Sequence, residues 1–160
     1  MTFTTYRLNR REHHFIIVGI IALIIIVAFF SLVIDKKLIT PPAYVIIGGA
    51  RITVEAATTP SEQYQGLSGR PRLCQFCGML FIFKNRGVQT FVMRDMLIPL
   101  DMVFIDDDKI VKIASDLLPE GAIPQNFYSS DVPVDYVLEL NAGFTDQYDI
   151  NVGDTVQLSF

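Results

Sequence analysis

Histidine and tryptophan are almost absent from this chain of 160 residues. It has no tryptophan, and its only histidines are His13 and His14, so residues 38–160 contain none. That region therefore lacks the usual general base of serine and cysteine hydrolases. Nothing suggests a tryptophan platform for sugars or nucleic-acid bases. A carboxylate dyad such as Asp101 with Glu139 remains open as a hydrolytic pair, although no motif fixes its geometry.

Positive charge is scarce beyond the first 37 residues. Residues 1–37 carry five Lys/Arg and two Asp/Glu, a net +3, whereas residues 38–160 carry eight and 15, a net −7; the two sum to −4. Neutralising nucleic-acid phosphates requires clustered Lys/Arg, and residues 38–160 have no such cluster. We therefore expect no nucleic-acid partner. The acidic balance also gives no reason for this region to lie flat on anionic lipid.

One long segment has no charge at all. Residues 15–34 read FIIVGIIALIIIVAFFSLVI, 20 residues that would span about 30 Å as a helix, the thickness of a hydrocarbon core. A buried helix of a soluble protein should show a polar stripe, and this segment shows none. A cleavable signal peptide has a shorter apolar region and ends in small residues, whereas this run ends in SLVIDKK. We predict an uncleaved transmembrane signal anchor that uses the lipid bilayer as its partner.

The flanking cations predict the orientation. Arg7, Arg10 and Arg11 precede the span and Lys36 and Lys37 follow it, a small excess that favours a cytoplasmic amino terminus. The expected organisation is a cytoplasmic segment 1–14, a span 15–34, a linker 35–44 containing two consecutive prolines, and an extracytoplasmic globular domain 45–160. The expected location is thus the cell membrane, with a single pass and the domain outside.

Short strands separated by turn signals characterise the globular region. Thr59, Pro60 and Glu62 have the spacing of a capping box at the start of one brief helix, which Gly66 or Gly69 can end. Apolar alternation or unbroken apolar runs predict strands at 51–56, 79–83, 90–93, 100–105, 110–113 and 136–140, with Val156, Leu158 and Phe160 closing the chain. We predict an α+β, mainly β fold: a compact small sheet or barrel-like domain with one or two short helices.

Five stretches of this region resemble a known family. TPSEQYQGLSGR, GMLFIF, FVMRDMLIPLDMVFID, YVLELNAG and VGDTV occur in the order found in the domain of unknown function 192, over roughly residues 52–160. The resemblance implies a compact, mostly β domain, often secreted or membrane-tethered in prokaryotes. It brings no reaction, because the family's activity is unassigned, and no catalytic residue can be carried over.

The chain departs from the family pattern in its central stretch. Val92 stands where the family usually has Trp, and Arg94-Asp95 stand where it usually has Lys-Asn. Any contact that the aromatic or amide group makes with a ligand is changed here. The Cys-x-x-Cys spacing of Cys74 and Cys77 is not a family hallmark.

The two cysteines allow several readings. A thiol-disulfide redox pair usually needs a helix amino end to lower the thiol pKa, but Cys77 leads through Gly78 into a strand-like run. A zinc site takes four ligands, and residues 38–160 offer no further cysteine or histidine. A local disulfide between Cys74 and Cys77 suits an oxidising exterior and is the interpretation we favour, with free thiols as the remaining alternative. We expect no metal and no cofactor.

FVMRDMLIPLD is the stronger functional candidate. Arg94, Asp95 and Asp101 lie among apolar residues that include Met93, a setting in which charges need partners. Either an internal Arg–Asp pair fixes a loop, or the group lines a small pocket in which Arg94 clamps a carboxylate or phosphate. An isolated buried pair is weak evidence for stabilisation, which slightly favours function.

Other acids are less distinctive. Asp106, Asp107 and Asp108 could bind calcium, but they read as a solvated hairpin turn. Glu139 alternates outward on its predicted strand, where it could pair with Arg70 or Arg94.

These observations predict a membrane-anchored extracytoplasmic module that binds a small ligand, peptide or envelope partner without chemistry of its own. The ligand-binding candidates are Arg70, Met93, Arg94, Asp95, Asp101 and Glu139. The alternative is an enzyme, either a thiol oxidoreductase using Cys74 and Cys77 or a carboxylate-based hydrolase.

Overall fold

A computed structural model describes residues 9–38 and 43–159, and the chain divides into two compact units, Met1–Pro41 and Pro42–Phe160. In the first unit, one helix, α1, covers Arg10–Leu38. The predicted span 15–34 falls on α1, but the side chains of its residues 29–34 lie outside the described set. Residues 1–8 of the predicted cytoplasmic segment and residues 39–42 of the predicted linker also lie outside it. Within the part of the chain that is described, no helix is both long and apolar enough to cross a membrane.

The second unit is built on a curved sheet of seven strands. Their spatial order is β6-β5-β8-β3-β2-β1-β9, and every neighbouring pair is antiparallel except β2 with β3. A separate two-stranded ribbon pairs β4 with β7. The strands are β1 (Tyr44–Ile47), β2 (Ala50–Ala57), β3 (Cys77–Gly87), β4 (Thr90–Phe91), β5 (Leu100–Asp106), β6 (Lys109–Leu117), β7 (Tyr128–Ser129), β8 (Val134–Asn141) and β9 (Gln157–Ser159).

The outer strands of the sheet meet near the start of β6. The Ile110 amide donates to the Asp154 carbonyl at 3.0 Å, and the Val156 amide donates to the Asp108 carbonyl at 2.8 Å. These bonds join the edge strand β6 to the segment that leads into β9, the opposite edge. Because both edges are engaged there, the sheet curls into a barrel-like form, which also limits the edge available for pairing with other chains.

Apolar residues cover both faces of the sheet. One core lies inside the curl and is closed by the short helix α3 (Phe144–Gln147); the other lies on the opposite face. The second core is formed by twelve buried side chains: Ala57, Leu67, Met79, Phe81, Met93, Met96, Leu100, Met102, Phe104, Leu117, Val134 and Val137. The central strands β3, β5 and β8 are therefore buried on both sides, as the unbroken apolar run at 79–83 predicts.

Local signals in the sequence are largely confirmed. Helix α2 (Pro60–Gln65) has the predicted capping box, in which the Glu62 amide donates to Thr59 Oγ1 and the Thr59 amide donates to the Glu62 carboxylate at 2.9 Å. The mainly β, α+β class is also confirmed. The sequence missed β1, β7 and α3, and the predicted strand 90–93 is limited to Thr90–Phe91. The three aspartates 106–108 form the β5–β6 turn, where Asp107 has a φ of 55°.

Candidate functional site

Glu139 is the unusual residue of the central sheet. It lies on β8 between Met79 of β3 and Met102 of β5, and its side chain belongs to the second, covered face. Only 5% of its surface is exposed. The prediction that Glu139 points outward is therefore wrong. Alternation along a strand separates two faces but does not reveal that loops cover the second one.

The Glu139 carboxyl is buried without a hydrogen-bond partner for one of its oxygens, Oε2. Burial raises the pKa of this carboxyl to about 8, while the positive charge of Arg70 acts in the opposite direction. The group is therefore mainly a neutral acid at pH 7, able both to donate and to accept a hydrogen bond. Since nearly all buried polar atoms in proteins are satisfied, an unpaired one at a cleft indicates that something can complete it.

Glu139 lines a cleft of about 390 Å³ between α2 with its following turn, residues 66–68, and the β3–β4 region. Aromatic side chains make one wall: the rings of Phe81 and Phe91 meet edge to face at 4.8 Å, and Phe83 and Phe91 at 6.4 Å. Polar groups come from half of the lining residues, so the cleft offers hydrogen bonds beside the aromatic wall. They are supplied by Gln63, Tyr64, Gln65, Ser68, Gln89, Thr90, Arg94 and Glu139.

Gly66 allows the chain to pass close to the Glu139 carboxyl. Its φ is +49°, a conformation that L side chains rarely adopt, and it ends α2. A Cβ at this position would lie 3.4 Å from Phe81 Cζ and 3.9 Å from Glu139 Oε2. The glycine therefore lets the backbone of the α2 turn pack directly against Phe81 and the Glu139 carboxyl.

Arg94 lines the same cleft and is held in a defined orientation. Its guanidinium lies 3.9 Å from the centroid of the Tyr64 ring and donates to the Tyr64 carbonyl at 2.6 Å. Its own carbonyl accepts from Ser68 Oγ at 2.8 Å. A guanidinium has five N–H donors, so donors remain for a ligand. The structure thus brings together Arg94 and Glu139, two of the predicted site residues.

The other residues of the central stretch lie elsewhere. Met93 is fully buried in the second core. Asp95 is exposed and has a φ of 52°; its amide donates to the Gly121 carbonyl, and its carbonyl accepts from the Gly69 amide at 2.8 Å. The backbone of Asp95 thereby ties two loops together. No Arg–Asp pair forms in this stretch among the described residues, whose three ion pairs join other groups.

Asp101 is fully buried, and both of its carboxyl oxygens accept hydrogen bonds from the protein. It accepts hydrogen bonds from the amides of Asp116, Gly143 and Thr145 and from Thr145 Oγ1, at 2.7–3.1 Å. In the sheet register it lies opposite Leu140, the residue after Glu139. Because successive side chains point to opposite faces, Asp101 and Glu139 lie on different sides of the sheet. They do not form a carboxylate dyad.

Arg70 is engaged outside the cleft. It binds the Glu55 carboxylate in a bidentate manner, with Nη2 to Oε2 at 2.6 Å. This hydrogen bond lowers the pKa of Glu55. Arg70 therefore does not pair with Glu139 directly, and its charge reaches Glu139 only at longer range. The pair lines a second cavity of about 360 Å³ on the other side of the Gln65–Gly66 turn.

The two cysteines form the disulfide that the sequence favours, with Cα atoms 5.1 Å apart. Cys77 begins β3, so a strand follows it rather than a helix. Phe76, inside the disulfide loop, packs on Phe144 and Tyr148 with ring centroids 6.1 and 5.7 Å apart. The loop thus covers α3. Within the described part of the chain, no three His, Cys, Asp or Glu residues are placed to hold a metal ion.

Sequence reasoning missed most of the cleft. Phe81, Phe83 and Phe91 were read only as strand residues, and Gln63 and Tyr64 only as parts of a connector helix. Gln63 is anchored by donating from Nε2 to the Ile82 carbonyl at 2.9 Å. The sequence did contain a signal for these cleft residues, because TPSEQYQGLSGR and GMLFIF both belong to the family-like stretches. Pairing of β3 with β8 brings GMLFIF beside Glu139, and the Gln63–Ile82 hydrogen bond holds TPSEQYQGLSGR next to it.

Comparisons with known proteins agree on the domain. The family DUF192, described as an uncharacterized ACR, matches residues 43–158. A Sinorhizobium meliloti 1021 protein, for which a transcription-regulator role has been suggested, is 33% identical with a TM-score of 0.66, over 72% of this chain and 91% of that one. A protein of unknown function from Novosphingobium aromaticivorans DSM 12444 is 32% identical with a TM-score of 0.66, over 72% of this chain and 83% of that one. No curated protein matches.

Proposed function

The chain belongs to the DUF192 family, and from that premise we propose that it is a membrane-anchored extracytoplasmic module that binds a small ligand in the cleft beside Glu139. The observation that carries the binding role is the buried, unpaired Oε2 of Glu139 on the lining of this cleft. An unpaired buried polar atom costs free energy, which a ligand hydrogen bond would recover.

The second support is the position of Arg94. Its guanidinium is pre-oriented by the Tyr64 ring and carbonyl, so less side-chain freedom is lost when it binds a ligand. Together, a fixed cation, an unpaired carboxyl and an aromatic wall supply both orientation and apolar contact. Among residues 9–38 and 43–159, no comparable group of side chains suggests a reaction, so binding is the function that the site supports best.

The anchor rests on the sequence. Residues 15–34 contain no charged residue, and the helix α1 includes all of them. In the proposed arrangement the domain lies outside the cytoplasm, where its disulfide is stable. The role suggested for the Sinorhizobium meliloti protein does not suit this chain as a nucleic-acid binder, because residues 38–160 carry a net −7 without a basic cluster.

Ligand binding can be tested on the full chain in detergent. Native mass spectrometry of the purified protein should show a copurifying small molecule that is lost in Arg94→Ala. Arg51→Ala is a matched control, because Arg51 stacks on Tyr44 with its guanidinium 3.8 Å from the ring centroid but does not line the cleft. If Arg94→Ala and Arg51→Ala retain the same bound molecules, the binding role of the cleft is refuted.

The anchor has its own test. Carbonate washing of membranes should leave the full chain in the pellet, and removal of residues 1–37 should release it. Protease added outside intact cells whose outer barrier has been opened should degrade the domain. Extraction of the full chain by carbonate, or protection of the domain from that protease, contradicts the arrangement.

A further inference from the structure

Resting on the proposed binding cleft, we propose that its ligand is a small organic anion with an aromatic or similarly apolar body. Its carboxylate binds Arg94, its body lies against Phe81, Phe83 and Phe91, and a carbonyl or other acceptor at its far end accepts a hydrogen bond from the Glu139 carboxyl.

The charge of the lining favours an anion over a cation. Among the described residues that line the cleft, Arg94 is the basic residue and Glu139 the carboxylic acid, and Tyr64 adds a phenol. Burial holds the Glu139 carboxyl mainly in its neutral form at pH 7, since its pKa is about 8. The Arg94 guanidinium is then uncompensated within the cleft. It provides planar, paired N–H donors that fit a carboxylate.

The walls favour an apolar body and limit its size. Three phenylalanine rings, Phe81, Phe83 and Phe91, form a continuous edge-to-face group along one side. Aromatic groups pack well against such edges. A heavily hydroxylated sugar would leave its own polar groups unpaired against these rings. The cleft volume of about 390 Å³ suits a molecule of amino-acid or small-aromatic size.

The surroundings of Glu139 explain why its carboxyl can donate a hydrogen bond. The neighbouring strands present Met79 and Met102 beside it, and the α2 turn presents Gly66, none of which is charged. Arg94 is the charged neighbour in the shared cleft, and the cavity on the other side of Gly66 is lined by Arg70, which is bound to Glu55, and by Glu62, which caps α2. Because burial raises the pKa of Glu139 by more than the charge of Arg70 lowers it, the carboxyl keeps its proton near neutrality.

Three matched probes test the assignment on the full chain in zwitterionic micelles, with protein-free micelles as blank. They are para-acetyl-hydrocinnamate, its amine counterpart para-acetyl-phenylpropylamine, and para-ethyl-hydrocinnamate, which lacks the far carbonyl. Ligand-observed NMR gives each Kd at several pH values. At pH 7 the acetyl acid should bind roughly tenfold or more tightly than the amine, in line with a charge-assisted pair. It should also bind more tightly than the ethyl acid.

Two variants separate the roles. Arg94→Gln should remove the preference for the acid over the amine, whereas Arg51→Gln should not. Glu139→Gln keeps a donor and an acceptor at every pH, so it should bind the acetyl acid normally at pH 7. In the native chain the affinity should fall about tenfold per pH unit above about 8, as Glu139 loses its proton, and in Glu139→Gln it should stay level.

Each contrary result has a distinct meaning. Tighter binding of the amine overturns the anion assignment, and loss of acid binding in Glu139→Gln at pH 7 overturns the neutral-donor role; in both cases a binding cleft remains. Failure of all three probes at millimolar concentration also overturns the ligand class. The proposed function falls only if Arg94→Ala also leaves the copurifying molecules unchanged.

Discussion

Replacing Glu139 by glutamine should make the globular unit more stable at neutral and alkaline pH. The folded protein holds this carboxyl at a pKa of about 8 because it is buried, whereas an unfolded chain exposes it with an ordinary pKa near 4.5. Between these values the unfolded state releases a proton that the folded state keeps. Folding stability therefore decreases as the pH rises through this window.

The size of the effect follows from the two pKa values. The shift from 4.5 to about 8 is roughly 3.5 pH units, and each unit corresponds to about 1.4 kcal/mol, so the full loss approaches 5 kcal/mol. At pH 7 the pH lies about 2.5 units above the unfolded pKa, so roughly 3 kcal/mol of this stability has been lost. Glutamine matches the neutral acid in shape and hydrogen-bonding groups and does not titrate. The variant should equal the native protein near pH 4 and exceed it by roughly 3 kcal/mol at pH 7.

Urea unfolding of residues 42–160 at pH 4, 5, 6, 7, 8 and 9 measures the difference. Glu62→Gln is a control of opposite sign. The amides of Thr58 and Thr59 lower the pKa of Glu62, so the stability that it contributes is present above its unfolded pKa and lost as the pH falls. A stability difference between Glu139→Gln and the native unit that stays constant from pH 4 to pH 9 would refute the raised pKa. If the native unit instead becomes more stable relative to Glu139→Gln as the pH rises, the pKa of Glu139 is lowered by folding and not raised.

Three further changes test the frame that supports the cleft. Asp101→Ala should destabilise the unit by roughly 3 kcal/mol or more in urea unfolding, because the donors that it satisfies are orphaned at about 1–3 kcal/mol each; a loss below 1 kcal/mol contradicts the network. Gly78→Ala should cost about 2 kcal/mol or more, since its Cβ would lie 2.8 Å from the Glu139 carbonyl, while Gly121→Ala, with open space around it, should be nearly neutral. Cys74→Ser should lower stability by about 2 kcal/mol through the lost loop constraint, without changing the folded circular dichroism spectrum; an unchanged urea midpoint would show that the disulfide does not stabilise the fold.

The elements that the sequence predicts well are the ones controlled by near neighbours. The capping box of α2 depends on residues 59–62, the disulfide on residues 74–77 and the aspartate turn on residues 106–108. Each is determined within a few bonds of the backbone. The mainly β class follows similarly from local alternation and turn signals. Membership of the family follows from five stretches that occur in the chain in the family's order.

The site was harder to predict because its parts meet through strand pairing. Arg94 could be recognised as a cation in an apolar stretch, but its neighbour in sequence, Asp95, is exposed to solvent and does not line the cleft. Asp101 belongs to the opposite face from Glu139, and a shift of one residue in register would exchange the faces. The burial of Glu139 requires the second core to be in place. No window of local sequence contains that information.

Two buried acids on adjacent strands make an internal comparison. Asp101 of β5 accepts four hydrogen bonds from protein donors, so both of its oxygens are satisfied and its role is to hold loops together. Glu139 of β8 is almost as deeply buried and lines the cleft, but its Oε2 has no hydrogen-bond partner. Burial alone therefore does not separate the two acids, whereas the combination of an unpaired oxygen and a place on the cleft lining does. The same change from acid to amide should consequently have opposite effects at pH 7. It should destabilise at Asp101, because an amide keeps only one of the two acceptor oxygens that the surrounding donors use, and stabilise at Glu139, because it removes a carboxyl that the unfolded chain ionises.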